Sequence, residues 1–167
     1  MPYGDFPFGL RQIALYDSDG TNKVLVPAAL MLHVTPLLET ARFTADGRMV
    51  GAASFVAGAE WEFEGGGLSL EALAKLTGDT ANQTGSTPNR TLSLSRDAGA
   101  ATPYLRIYGR AVSDVGDVVC RLYRCKLEAL EGTFRDHEFW VTYAKGVALS
   151  DGTRVYEFLQ RETAAAL

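Results

Sequence analysis

The residues best able to do chemistry sit together in AEWEFEGGGLSLEALAKLTGDT, Ala59 to Thr80. Glu60, Glu62 and Glu64 alternate with Trp61 and Phe63, so on an extended strand the carboxylates share one face at spacings of about 7 Å. Such spacing suits a pair of carboxyl groups cleaving a glycosidic bond. Gly65, Gly66 and Gly67 then lead toward a helix, and a glycine-rich turn at a helix N-terminus can cradle a phosphate. Both chemistries meet an obstacle in the same residues. The glycine triplet lacks the Gly-Lys-Ser/Thr ending that supplies a phosphate loop with its cation and hydroxyl, and three carboxylates next to it repel an anion. Alternation with aromatic residues is also what a half-buried strand produces when its aromatic side packs inward. The stretch reads as an amphipathic strand, a glycine joint and a packing helix.

Other reactive side chains are scattered. The two histidines, His33 and His137, have no second ligand at metal-binding spacing. The DSDG turn at Asp17 to Gly20 lacks the third ligand and the distal glutamate of a calcium loop. No Gly-x-Ser-x-Gly or Ser-x-x-Lys motif occurs, and neither cysteine lies by a glycine elbow. Cys120 and Cys125 are five residues apart on a strand, an odd spacing that points them to opposite faces and leaves them as free thiols. The sequons at Asn82 and Asn89 fall in a polar loop with no secretion signal upstream. The expectation is a protein without catalytic, metal or cofactor-binding residues.

The elements that carry these residues are mostly strands. At 167 residues, 47% hydrophobic and 22% charged, the chain fits one globular domain spanning 1–167. Its net charge of −4 argues against a protein built to grip nucleic acid, though not against one that nucleic acid slides past. The most apolar run, Val24 to Val34, is far short of the roughly 20 residues a membrane-spanning helix needs, so no membrane is expected as a partner. A long hairpin is predicted at 34–58 around Asp46-Gly47, a strong hairpin turn signal. A helix is predicted over 69–77, with Ser69 as N-cap and Gly78 as its stop. Residues 78–89 read as a polar loop, followed by short strands whose inner face takes Leu92, Leu94, Leu105, Ile107, Leu122, Tyr123 and Leu127. Residues 1–8 form an N-terminal arm and 160–167 a tail. The expected fold is mainly β: an antiparallel β-sandwich or barrel with one short flanking helix and a long β-hairpin.

In order, the segments EGGGLSLEALAKLTGDT, TGSTPNRT, PYLRIYGRA, RLYRCKL and EFWVTYAKGVAL resemble the major tail tube proteins of long-tailed bacteriophages. The likeness runs from Gly9 to Leu149 and leaves the arm and the tail unmatched. Each motif is strand and turn grammar; their order is what carries the resemblance. It implies a virion structural protein, made in the host bacterial cytoplasm, whose subunits form hexameric rings that stack into a tube. It further implies tape measure, terminator and distal tail proteins as partners, with DNA passing through the tube during ejection and not bound specifically.

On that resemblance the hairpin contributes to an inner barrel. Glu39 and Asp46 are candidates for the lumen or a ring interface, and Arg42 and Arg48 for pairing across subunits. Tyr3, Phe6 and Phe8 in the arm are candidates for docking on a neighbour. Two alternatives share the composition: a related ring-forming tail component (terminator or baseplate hub), and a ligand-binding β-sandwich module with Trp61, Trp140 and Tyr143 around a cleft.

Overall fold

The structure, a computed structural model, describes residues 9–67, 69–113, 116–133 and 135–167. The arm with Tyr3, Phe6 and Phe8 lies outside them. In chain order the elements are β1 (Leu10–Asp17), β2 (Val24–Val26), β3 (Ala29–Ala45), β4 (Arg48–Gly66), α1 (Leu70–Thr77), β5 (Ala81–Thr84), β6 (Thr91–Leu94), β7 (Tyr104–Ser113), β8 (Gly116–Gly132), β9 (Val141–Ala148) and β10 (Tyr156–Arg161). The fold is mainly β, antiparallel, with a single helix among the described residues. One eight-stranded sheet runs β2-β1-β7-β8-β9-β4-β3, with β10 also on β8, while β5 and β6 pair separately.

The sheet curls over one core without closing. Ile13 and Leu15 of β1, Trp61 and Phe63 of β4, Leu105 and Ile107 of β7, and Leu122 and Cys125 of β8 all point into it. Trp61 and Phe63 stack at 5.9 Å between ring centroids. Small residues opposite make the room they need: Ala144 and Ala148 line β9, and a Cβ at Gly146 would sit 2.8 Å from the Trp61 ring and 1.9 Å from the Lys126 carbonyl oxygen. Leu32 of β3 lies over Gly109 of β7 in the same way.

The helix forms where its caps allow. The Ser69 hydroxyl accepts from the Ala72 N–H at 3.2 Å, and Gly78, at φ 81°, donates to the Ala74 carbonyl at 2.7 Å. Eight residues are too few for a stable isolated helix, so α1 depends on burying Ala72 and Leu76 in the core. Lys75 ties its last turn to Asp17 at 2.6 Å.

Several expectations need correction. The polar loop at 78–89 contains β5, which pairs with β6, and Leu92 on β6 is exposed instead of facing the core. Tyr123 is buried, but on the far side of the sheet, where its hydroxyl donates to Glu157 at 2.9 Å. Cys120 and Cys125 both face the core, against the odd-spacing argument. Leu105 and Ile107 of β7 pair with Cys125 and Leu122, so β8 holds one extra residue there, and Arg124 takes φ 46°. This bulge resets the alternation. The hairpin is longer than 34–58, occupying Ala29–Ala45 and Arg48–Gly66, and Gln160 and Arg161 belong to β10 instead of a tail.

Replacing Gly146 with alanine tests the close approach of β8 and β9. The Lys126 carbonyl cannot yield without moving β8, so the substitution costs about 1–3 kcal/mol, read as a lowered urea midpoint.

Candidate functional site

The feature least accounted for by the monomer is the outer part of the β3–β4 hairpin. β9 covers β4 only from Ala59 to Gly66. Beyond that, Leu37 to Ala45 of β3 and Arg48 to Gly58 of β4 pair only with each other, projecting about 30 Å at the usual rise per residue. The tip is a two-residue turn with Asp46 at φ 51° and Gly47 at φ 70°, as a type I′ turn requires. Two bulges on β4, at Ala57 and Val50, add twist to the free part. The outer edge of β3 is unpaired throughout, and Pro36 within it fits an edge strand because it has no N–H to offer a ladder.

Register assigns the side chains of this arm to two faces. One carries Glu39 opposite Phe55, Ala41 opposite Ala53, and Phe43 opposite Gly51. The other carries Leu38 opposite Val56, Thr40 opposite Ser54, and Arg42 opposite Ala52, with the Thr40 and Ser54 hydroxyls 2.9 Å apart. The first face is the more apolar, yet Phe43 is 67% exposed and Phe55 56%. Leu38, Met49 and Val50 are exposed as well. Glu39 and Arg42 thus lie on opposite faces, whereas Asp46 and Arg48 sit at the tip. Among the described residues none of the four is in a salt bridge.

The body divides its charge between two regions on the outside of the sheet. Across β3, β4, β9 and the later part of β8, His33, Glu60, Glu62, Glu128 and Lys145 border one shallow groove of about 330 Å³. Glu62 accepts a 2.6 Å hydrogen bond from Tyr143. That bond, with Glu131 and Glu64 nearby, pushes the Tyr143 hydroxyl up to about 12. Trp61 points the opposite way into the core, and Trp140 donates to Thr142 at 2.8 Å, so the three aromatic residues considered for a cleft do not converge.

Across β7, β10 and the start of β8 the side chains are arginine and tyrosine. Arg121 lies over Tyr108, Arg106 and Arg154 over Tyr123, and Arg124 and Lys126 over Tyr104, all within 5.5 Å of the ring centroid. Glu157 accepts from Tyr123 and Arg121, and these contacts hold its carboxyl below the usual range. At the far end Asp117, fully buried, receives two bonds from Arg161 at 2.6 and 2.5 Å and a third at 3.1 Å from the Ala165 N–H, with Arg110 at 3.3 Å. These contacts fasten the last residues across the sheet toward Lys23, which donates to the Leu167 carbonyl at 2.6 Å. The sequence contained the signal for this face. Tyr104, Arg106, Tyr108 and Arg110 recur at every second position, the period of one strand face.

Remaining reactive groups are placed unfavourably for chemistry. Burial pushes the Cys120 thiol up to about 12 and that of Cys125 higher still, away from the thiolate a nucleophile needs. His33 bonds Thr35 at 3.0 Å, and His137 is exposed. No helix of the described residues is long and apolar enough to cross a membrane.

No protein-family model matches this chain, and no curated protein matches it. Among solved structures, it is similar to a chain in the cryo-electron microscopy structure of the anti-feeding prophage (AFP) baseplate, 6-fold symmetrised, at 8% identity and a TM-score of 0.49. The match covers 95% of this chain and 97% of that one. At that score and identity the likeness carries no role across to this chain.

The Asp117 site makes a testable claim about stability. The Arg161 hydrogen bonds hold its carboxyl below the usual value, so the stabilisation is present above the unfolded carboxylate range and is lost as pH falls through the depressed value. Asp117→Ala leaves two guanidinium groups without their carboxylate and lowers stability by about 3–5 kcal/mol. Urea unfolding at pH 7 and pH 3 checks both: the gap between wild type and variant narrows at the lower pH.

Proposed function

We propose that this chain is a structural subunit of a phage-type tail, of the tail tube class, assembling as hexameric rings that stack into a conduit for DNA ejection. The observation carrying this reading is the projecting hairpin. Two unpaired edges and several exposed apolar side chains form a surface that a lone monomer leaves in water. Covering a side chain such as Phe43 or Leu38 stabilises by about 1–2 kcal/mol each, so a partner for the hairpin is favourable before any specific contact is counted.

The edges support one way for copies to join. The outer edge of β3 and the free edge of β4 are different edges of one hairpin. Pairing one to the other between copies is therefore heterologous and continues around a ring. Pro36 limits that pairing to the part beyond it, Leu37 to Ala45, because no hydrogen bond can start from its nitrogen. A barrel made of such hairpins from several subunits is wide enough to leave a channel. The apolar face with Phe43 and Phe55 packs toward protein, at the ring interface, with Glu39 among it. The face with Thr40, Ser54 and Arg42 turns to the water-filled channel. Asp46 and Arg48 at the tip reach the next ring.

In this role the protein is a building block and not an enzyme, needs no cofactor, resides in the virion tail, and is made in the host bacterial cytoplasm. Its partners are further copies of itself and the tape measure, terminator and distal tail proteins. DNA passes without specific contacts.

Negative-stain electron microscopy of the purified protein tests this directly, with tubes or open polymers expected. Phe43→Glu combined with Phe55→Glu removes them, while the stability of the monomer shifts by no more than about 0.5 kcal/mol because both side chains are exposed. Uniform single rings would place the chain with terminator or hub components instead. A monomer under all assembly conditions would refute self-assembly.

A further inference from the structure

The arginine–tyrosine face is unusual for a chain whose net charge is −4. Arg106, Arg121, Arg124 and Arg154 lie over tyrosine rings on β7 and β8, and Glu157 pairs with two of them, Arg121 and Arg154. From the turns at the rim, Asp19 approaches Arg106, and Asp151 approaches Arg154 and Arg106. Arg106 and Arg121 are half-buried and Arg124 and Arg154 exposed; Arg106 donates to the Ser18 carbonyl and Arg121 and Arg154 to Glu157, out of the five N–H donors that each guanidinium carries. Such an array is preorganised to receive carboxylates.

On the other half of the same sheet stand Glu60, Glu62, Glu64, Glu128 and Glu131, with Lys145 among them and Arg135, paired with Glu138, beside Glu131. Glu60, Glu128 and Glu131 are exposed and have no salt bridge among the described residues. The two regions occupy different stretches of the outside of one sheet, with Arg121 and Arg124 in the first part of β8 and Glu128 and Glu131 nearer its end, and no salt bridge joins these arginines to these glutamates among the described residues.

We infer that the arginine–tyrosine face of one copy binds the glutamate face of another, as a second subunit contact separate from the hairpin. Each copy then presents one face of each kind, so the contact is heterologous and propagates from copy to copy. The occupant is another copy because this same chain carries the complementary charge on a surface of similar strand make-up. The contact rests on the self-assembly proposed above but not on the hairpin edges. Like all contacts between exposed charges, it is screened by salt, over about 10 Å at 0.1 M and about 3 Å at 1 M.

Charge exchange tests it. Glu60→Lys with Glu131→Lys removes the excess negative charge of the glutamate face, and Arg124→Glu with Arg154→Glu removes the excess positive charge of the arginine face, each leaving the other face of that copy as it was. All four side chains are exposed in the monomer. Sedimentation at low salt is expected to show each variant alone associating about a hundredfold more weakly than wild type, since one of the two faces in every contact has lost its excess charge. Mixing the two variants restores association, and raising the salt abolishes it in both wild type and mixture. Circular dichroism melts confirm folding. Where a double variant melts early, the single changes Glu131→Lys and Arg154→Glu replace it.

Variants that associate as the wild type does would overturn this contact while leaving the hairpin reading intact. So would two folded variants whose mixture stays dissociated. Loss of tubes in the Phe43→Glu, Phe55→Glu protein with its salt-sensitive association kept would show the two contacts to be independent. A wild type that never associates would overturn both.

Discussion

The structure depends on a mismatch of length. β3 and β4 are 17 and 19 residues long, but the body they belong to is only deep enough to cover the eight residues of β4 that pair with β9. Over that covered part the hairpin behaves as an ordinary wall of a β core. Trp61 and Phe63 go inward, Glu60, Glu62 and Glu64 go outward, and β9 supplies small residues where the indole needs space. Past Ala59 the same backbone continues with every ladder bond made to its own partner strand and nothing beneath it. An isolated two-stranded ribbon is marginal in water. This one persists because its base is held in the core and its tip turn matches the strand twist.

A second consequence concerns how the remaining strands are held. β8 must serve β7 on one side and both β10 and β9 in succession on the other. It does so by bending at the bulge around Arg124, which also decides that Cys120 and Cys125 share the core. Once β10 is placed, its arginine closes on Asp117. A fully buried carboxylate is costly unless its bonds are complete, and the guanidinium fork of Arg161 plus a backbone N–H complete them. The last residues are therefore fastened by the same ion pair that anchors β10.

How much of this was legible in the sequence follows from which signals are local. The I′ turn at Asp46-Gly47, the caps of α1 and the alternation in EWEFE are set by neighbouring residues, and they were readable. The tyrosine–arginine alternation in β7 was equally local, but its meaning needed β8 and β10 beside it. The bulge at Arg124 was not legible: nothing in RLYRCK marks the extra residue, and it exists because Cys125 has to meet Leu105. The strand β5 was hidden for a similar reason, since a four-residue polar strand is favoured only by its pairing with β6. For the candidate site, Glu39, Arg42, Asp46 and Arg48 lie on the hairpin; the odd spacing of Glu39 and Arg42 along β3 already sets them on opposite faces, but only the register shows that Phe55 and Ala52 stand across from them.

The opening stretch changes meaning on these grounds. Three glutamates at alternate positions gain no catalytic character from their surroundings: one accepts from a tyrosine, and the others face solvent or half-covered space outside the sheet. What distinguishes them is position. They stand at the root of the projecting hairpin, on the side of the sheet away from the core, while the arginines of β7 and β8 occupy the other half of that side. Under the proposed self-assembly this separation has a reason. Uniformly mixed charges would leave each copy indifferent to the next, whereas segregated charges attract in one relative orientation and repel in others. In the proposed assembly the exposed apolar arm supplies the larger share of binding energy, and the charged faces choose the orientation in which it engages.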